Sequence, residues 1–368
     1  MKMKGKRIIL LLLAAVFVFN NSYAVEEPHN ETSHDNEHAG AKFDPGKFIF
    51  DHIKDSYTWH IFSYRSKSGE EKHVGINFPV ILYSGNKGLV IFSSGNFHHG
   101  HSSYNGFRIA DEGEHEGKII EELSDGTVLV PLDLSITKNV AAIFFSLALM
   151  LWLFISVANR YKKNPDLPPR GAQSLLEPII IFIRDEIAKP SIGKHYERFL
   201  PFLLSIFFFI WINNLMGLIP VLPGGANVTG NITVTLVLAL FTFFITTING
   251  NKYYWQEIFN APGVPWWLKL PVPLMPVIEI VGMFTKPFVL MVRLFANITA
   301  GHIIVLGFFS LIFIFGEMQP AFGYGVSVVS IAFTIFMTML ELLVALIQAY
   351  VFTLLSALYF GMATAEHH

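Results

Sequence analysis

The sequence contains no cysteine, which excludes a disulfide scaffold, thiolate metal sites and thiol nucleophiles. It is also poor in charge. Only 15% of its 368 residues are Asp, Glu, Lys or Arg, against about 25% in a soluble domain, so much of its surface faces something other than water. No glycine-rich loop ending in Lys-Ser or Lys-Thr occurs, so the usual phosphate cradle is missing. No domain is strongly basic, which argues against nucleic acid as a partner. What the chain has in excess is apolar: 52% hydrophobic residues, with 35 Phe among them. This is the composition of a membrane protein.

The net charge of −2 conceals three parts. Residues 1–24 carry four basic charges and no acid, residues 25–137 carry 9 Lys and Arg against 18 Asp and Glu, and residues 138–368 carry 13 against 10. Lys2, Lys4, Lys6 and Arg7 precede an apolar run from Ile8 to Phe19, and Ser22-Tyr23-Ala24 follows. That order predicts a signal peptide over 1–24, cleaved after Ala24. Twelve apolar residues are too few to cross about 30 Å of hydrocarbon, which disfavours reading them as a first membrane helix. Residues 25–42 are polar and His-rich, a flexible lead-in. Over 43–132 short β-type runs (Trp59–Tyr64, Val74–Tyr83, Leu89–Phe92) alternate with turn signals such as Ser84-Gly85-Asn86, which predicts a small, acidic, β-rich exported region. Its His98-His99-x-His101 cluster is read as a solvated loop rather than a metal site, because no other ligand spacing supports one.

Membrane crossings are expected at about 140–158, 199–220, 232–248, 274–315 and 326–362. Basic residues gather at 160–198 and 252–269, whereas 221–231 and 316–325 have no Lys or Arg. Positive loops stay in the cytoplasm, so the N-terminal region lies outside, in the periplasm, and the C-terminus inside. The fold class is an all-α membrane protein of five crossings with a small β-rich exported N-terminal region. Between 170 and 197, Leu175, Leu176, Ile179, Ile180, Ile183 and Ile187 recur at helical spacing among charges, which predicts a cytoplasmic amphipathic helix acting as a structural collar. The last two segments, at about 1.5 Å per residue, would reach roughly 63 and 56 Å. They must tilt, kink at Pro276 or Pro287, or extend into the interfaces.

Within these two segments the ionisable residues are Glu279, Lys286, Arg293, His302 and Glu341. A charge there costs about 2.5–3.5 kcal/mol on insertion scales and marks function by default. At about 100° per residue Glu279, Lys286, Asn297 and Arg293 share one face, while His302 lies roughly 180° from Arg293. On the last segment Ser330, Thr334, Glu341 and Gln348 form a polar stripe. Such a stripe is read as hydrogen-bond glue between helices or as a proton path, since His and Glu both titrate in an accessible range once perturbed.

Several strings carry a resemblance. They are Arg293-Leu294-Phe295-Ala296-Asn297-Ile298-Thr299-Ala300-Gly301-His302, Phe199-Leu200-Pro201-Phe202-Leu203, Asn213-Asn214-Leu215-Met216-Gly217-Leu218-Ile219-Pro220 and Gln348-Ala349-Tyr350-Val351-Phe352. Over about residues 133–365 the chain resembles subunit a of the F-type ATP synthase, the membrane stator and proton-channel subunit. The resemblance implies a non-catalytic subunit with no cofactor, in the inner (plasma) membrane. It implies the c-subunit ring, the b subunits of the peripheral stalk, the rest of the synthase and membrane lipid as partners, with the two long helices tilted against the ring. Arg293 then matches the essential arginine that faces the ring between two offset half-channels, and Gln348 the glutamine beside it. His302 and Glu341 match the pair in the outward half-channel. Glu279 would line the cytoplasmic one, with Asn214, Asn297 and Lys286 as supporting polar groups. Many bacterial members carry acid and imidazole at exchanged positions. The long exported region departs from the family pattern.

Two other classes are weighed against this. A stand-alone ion transporter would show inverted repeats with paired broken helices, and none is seen. An intramembrane hydrolase would need a nucleophile–base pair or a metal cluster, and five scattered ionisable groups supply neither. Cleavage after Ala24 is checked directly: N-terminal sequencing of the protein purified from membranes is expected to begin at Val25, and a start at Met1 would refute it.

Overall fold

The structure is a computed structural model that describes residues 43–65, 71–100, 102–110, 115–123, 126–163, 168–219, 224–260 and 274–365. The expected signal peptide and lead-in lie outside the described residues, as do His101 and the side chains of His98 and His99.

The N-terminal region opens on a helix absent from the sequence expectation, α1 (Pro45–Ile53). Pro45 sits in its first turn, and the Asp44 side chain accepts the N–H groups of Gly46 at 2.9 Å and Lys47 at 3.2 Å. That is the N-terminal chemistry of a helix. Eight short strands follow in three antiparallel sheets: β1 (Thr58–Arg65) with β2 (Glu71–Asn77), β3 (Pro79–Ser84) between β4 (Gly88–Ser93) and β8 (Leu132–Asp133), and β6 (Ile119–Glu122) between β5 (Phe107–Ile109) and β7 (Val128–Leu129). The Val74–Tyr83 run is two strands, broken at Phe78, and Pro79 opens the second, the strand position where a missing N–H is tolerated. Alternation along β3 buries Val80 and Leu82 against Phe97, Phe107 and Ile119. Glu121, 2% exposed, is held by the Ser84 hydroxyl and by Lys87 at 3.2 Å, so its charge is not buried alone.

Four helical stretches are long and apolar enough to cross a membrane: Lys138–Lys163, Ala172–Leu218, Met275–Met318 and Pro320–Thr364. A bent pair, Ile232–Ile248 with Lys252–Asn260, adds a fifth if it counts as one span. We label the helices α2 (Lys138–Lys163), α3 (Ala172–Phe182), α4 (Lys189–Ile192), α5 (Tyr196–Leu218), α6 (Ile232–Ile248), α7 (Lys252–Asn260), α8 (Leu274–Met318) and α9 (Pro320–Thr364). The amphipathic stretch 170–197 is not one regular helix. A π-turn over Ile183–Ala188 separates α3 from α4, and Gly193, at φ +73°, ends α4 before α5 begins. Helices α6 and α7 meet at 100°. The last two helices are longer than expected, 45 residues each, and Gln319 alone joins them. Of the two expected kink positions, Pro287 lies inside α8, while Pro276 falls in its first turn, where a missing N–H costs nothing.

The membrane helices are joined by small and hydroxyl residues. Gly323 sits where an added Cβ would come within 2.8 Å of the Gly316 Cα, across the turn between α8 and α9. Thr242 of α6 and Ser356 of α9 share a hydrogen bond at 3.2 Å. Close backbone approach and hydroxyl bonds replace the hydrophobic drive that lipid cannot supply.

The exported region is seated on this body. Trp59 is buried in the same apolar cluster as Ala142, Ile143 and Leu203. At the top of α2 the Lys138 N–H donates to the Ser56 carbonyl at 2.8 Å. The Asn139 N–H donates to the Asp55 carboxylate at 3.0 Å, so a residue 84 positions earlier in the chain caps this helix. Tyr57 donates to Asp133 at 2.5 Å, and burial beside that carboxylate holds its phenol well above the usual range. Burial also raises the Asp55 carboxyl, outweighing the Asn139 and Ser56 N–H groups and Lys138. A raised folded-state value means that the stability Asp55 contributes is full below the ordinary carboxylate range and is lost as pH rises through the raised value. In thermal unfolding of the detergent-solubilised protein, Asp55→Ala is expected to lower stability by about 1 kcal/mol through the lost cap. Asp55→Asn should keep the cap and flatten the decline in stability between the carboxylate range and neutral pH. An unchanged pH profile in Asp55→Asn would refute the assignment.

Candidate functional site

Helix α8 carries Glu279, Lys286, Arg293, Asn297 and His302, and α9 carries Glu341 and Gln348. The two run antiparallel, and three contacts fix their register. Phe308 stacks on Phe333 at 5.1 Å, His302 Nδ1 lies 3.9 Å from Glu341 Oε1, and the Lys286 ammonium lies 5.7 Å from the Tyr359 ring centre. On that register Arg293 stands level with Val351, within one helical turn of Gln348.

His302 and Glu341 are enclosed. Their side chains are 18% and 11% exposed, and 3.9 Å is an ion-pair distance, beyond a direct hydrogen bond. Gly301 makes the arrangement fit: a Cβ there would overlap the Glu341 carboxylate. On its other side the imidazole meets α5, where Nε2 lies 3.6 Å from the position a Gly217 Cβ would take. Two glycines thus bracket the pair.

Arg293 and Asn297 lie on the exposed face of α8, among Phe288, Val289, Val292 and Ala296. Arg293 has no hydrogen bond or ion pair among the described residues; within the chain its charge reaches the Tyr359 hydroxyl. Gln348 is 8% exposed, and it shares a stripe of α9 with Glu341 and Tyr359. Lys286 faces that stripe, and the carboxylates of Glu279 and of Glu257 on α7 act on its charge. Asn214 on α5 is buried about one turn from the Gly217 contact: its amide donates to the Ala345 carbonyl at 3.2 Å and its oxygen accepts the Thr229 hydroxyl at 2.5 Å. The sequence candidates therefore divide into an enclosed pair, His302 with Glu341, and a band around Arg293, Gln348, Lys286 and Glu279. Along α8 the nine residues from Arg293 to His302 span about 13.5 Å.

Sequence reasoning missed Gly217 and Gly301 as parts of the site. The signal for Gly301 was present, a glycine beside the histidine; for Gly217 only packing reveals the contact. Among the described residues no three His, Asp or Glu side chains come together to hold a metal ion.

Fold and site together define a multi-pass helical membrane protein with titratable groups confined to the contact between its last two helices. Comparison with known proteins gives the family. The family model for the ATP synthase A chain matches residues 140–361, and a second one, a domain of unknown function (DUF8433), matches 48–138. The ATP synthase subunit a of Chloroherpeton thalassium is 44% identical over 241 residues, 64% of this chain and 68% of that protein. ATP synthase subunit a 2 of Chlorobaculum tepidum is 47% identical over 240 residues, 64% of each chain. The Myxococcus xanthus subunit a is 42% identical over 259 residues, 68% of this chain and 79% of its own. The chain belongs to the ATP synthase A chain family. That family is the non-catalytic, proton-translocating subunit of the synthase membrane sector, and it works with the rest of that complex. The stand-alone transporter and the hydrolase are not favoured.

The glycine bracket is testable. Gly301→Ala overpacks the Glu341 contact and is expected to cost about 1–3 kcal/mol, read as a lower midpoint of thermal unfolding. In a double-mutant cycle Glu341→Ala should restore much of that loss. Strict additivity of the two substitutions would show that they do not touch.

Proposed function

We propose that this chain is a stator which passes protons through two offset half-channels and so couples proton flow to rotation of a c-subunit ring and to ATP synthesis. His302 and Glu341 line the half-channel open to the periplasm, and Glu279 lines the cytoplasmic one. Arg293 faces the ring, with Gln348 beside it and Asn297, Asn214 and Lys286 as supporting polar groups. The arginine stays charged in any environment. It favours the deprotonated form of each passing ring carboxylate and blocks a direct leak between the half-channels. Each proton brings roughly 2.3 kcal/mol per 100 mV of membrane potential.

The observation that carries the reading is the position of Arg293. It lies in mid-helix, exposed and unpaired among the described residues, within one helical turn of the level of Gln348, on a wide apolar face. A cation so placed needs an anionic partner from another chain. The basic loops support five crossings in the inner membrane, with the N-terminal region in the periplasm and the C-terminus in the cytoplasm. Long, exposed α8 and α9 suit tilted packing on a curved ring, and the stretch 170–197 suits a collar that meets the b subunits. The boundaries proposed are an exported region over 43–132 and a membrane domain over 133–368; the two family models, meeting near residue 139, support them.

The test is Arg293→Ala in the assembled complex, followed by ATP-driven proton pumping in inverted vesicles. Pumping is expected to be abolished, with ATP hydrolysis by the detached catalytic sector unchanged. Full pumping would overturn the arginine assignment.

A further inference from the structure

The turn between α5 and α6 carries groups that the site as described does not use. Its residues 224–231 read Gly-Gly-Ala-Asn-Val-Thr-Gly-Asn, and Ala226, Val228 and Thr229 are at most 2% exposed. Three hydrogen bonds fasten it. The Gly225 N–H donates to the Met216 carbonyl at 3.2 Å, the Thr229 hydroxyl donates to Asn214 at 2.5 Å, and the Thr299 hydroxyl of α8 donates to the Gly230 carbonyl at 3.3 Å. The turn is therefore a wall against α5 and against the turn of α8 that precedes His302.

Asn227 stands inside this wall. It is 5% exposed, and neither its amide nitrogen nor its amide oxygen has a hydrogen-bond partner among the described residues. Its amide fills the space beside Gly230, where a Cβ would overlap it. An asparagine amide offers two donors and an acceptor, and leaving such groups unmade when buried costs about 1–3 kcal/mol each. Buried polar groups in that position are ordinarily met by ordered water. The neighbouring residue, Ala226, completes the link to the pair: its carbonyl lies 3.4 Å from the Gly217 Cβ position, which itself lies 3.6 Å from His302 Nε2. An amide that cannot titrate but can both donate and accept suits a water chain, because it orders water without trapping a proton.

We propose that Asn227 is a positioning residue of the outward half-channel, holding the water that passes protons between the outer side and the His302–Glu341 pair. The proposal rests on the reading of that pair as the half-channel lining. It is tested in the assembled complex in vesicles, by ATP-driven pumping in water and in deuterium oxide. Asn227→Leu, which fills the space with carbon, is expected to slow pumping several-fold and to raise the solvent isotope effect. Asn227→Ser, which keeps a donor and acceptor and leaves room for water, should retain most of the rate. Wild-type pumping in Asn227→Leu, or an equal loss in Asn227→Ser, would overturn the proposal. Should the leucine variant fail to assemble, Asn227→Ala takes its place: it must pump more slowly than Asn227→Ser, and equal rates would refute the role. Glu341→Ala separates the two levels. If it still pumps at the full rate, the reading of the pair as the half-channel lining fails; if it does not, a failure at Asn227 removes the water site alone.

Discussion

The enclosure of an acid and an imidazole between two helices is the constraint on which the rest of the structure depends. In hydrocarbon neither group can reach water by itself, and a charge left there alone is costly. Protein must surround them on every side, and that demands close backbones. Gly301 lets α9 bring Glu341 against α8, and α5 closes over His302 at Gly217. The nearby polar bonds follow from the same demand. Asn214 ties α5 to the Ala345 carbonyl of α9, and Thr299 ties α8 to the following turn. A side chain at Gly301 would overlap the Glu341 carboxylate, so α8 and α9 could not keep this approach.

A hairpin of two 45-residue helices needs bracing at both ends, because its long apolar faces are open elsewhere. At one end, α1 of the exported region grips the tip. Phe43 and Phe48 meet Phe313 with ring centres 5.0 and 6.3 Å apart, and the Phe43 N–H donates to Glu317 at 2.7 Å. At the other end α7 and α4 hold the last turns of α9. Ala363 is buried with Tyr254 and Ile258, the Asn251 N–H donates to its carbonyl at 2.9 Å, and Gly361 packs on the Ser191 backbone. The N-terminal region is thus mechanically continuous with the membrane body. Asp55 at the top of α2 and Trp59 in the shared core make the same point from a second direction.

Different physical signals made different parts legible in the sequence. Charge scarcity and long apolar runs marked the membrane class, and seven-residue spacing marked which face of α8 carries Glu279, Lys286 and Arg293. Opposition of His302 to Arg293 followed from nine residues at 100° each, and in the structure His302 turns inward to Glu341 while Arg293 faces out. Alternation and turn residues marked strands, but α1 was missed. Its helix is started by the Asp44-Pro45 cap rather than by an apolar stripe long enough to stand out. The π-turn in 183–188 was also invisible, since local geometry of that kind is set by how α3 and α4 pack on α5 and α9. Contacts between residues far apart in sequence, such as Asp55 with Asn139 or Gly217 with His302, leave no periodic trace at all.

The division of the site into an enclosed pair and an exposed arginine has a chemical logic. His302 and Glu341 can each exist as neutral species, so a protein interior can hold them without a permanent counter-charge. A guanidinium cannot discharge in any accessible range, and enclosing it would require a fixed anion inside the same helix contact, which would neutralise it for any outside partner. Placed on the exposed face, it keeps its charge uncommitted within the chain. The two requirements are incompatible at one point, and about 13.5 Å of α8 keeps them apart on a single rigid element.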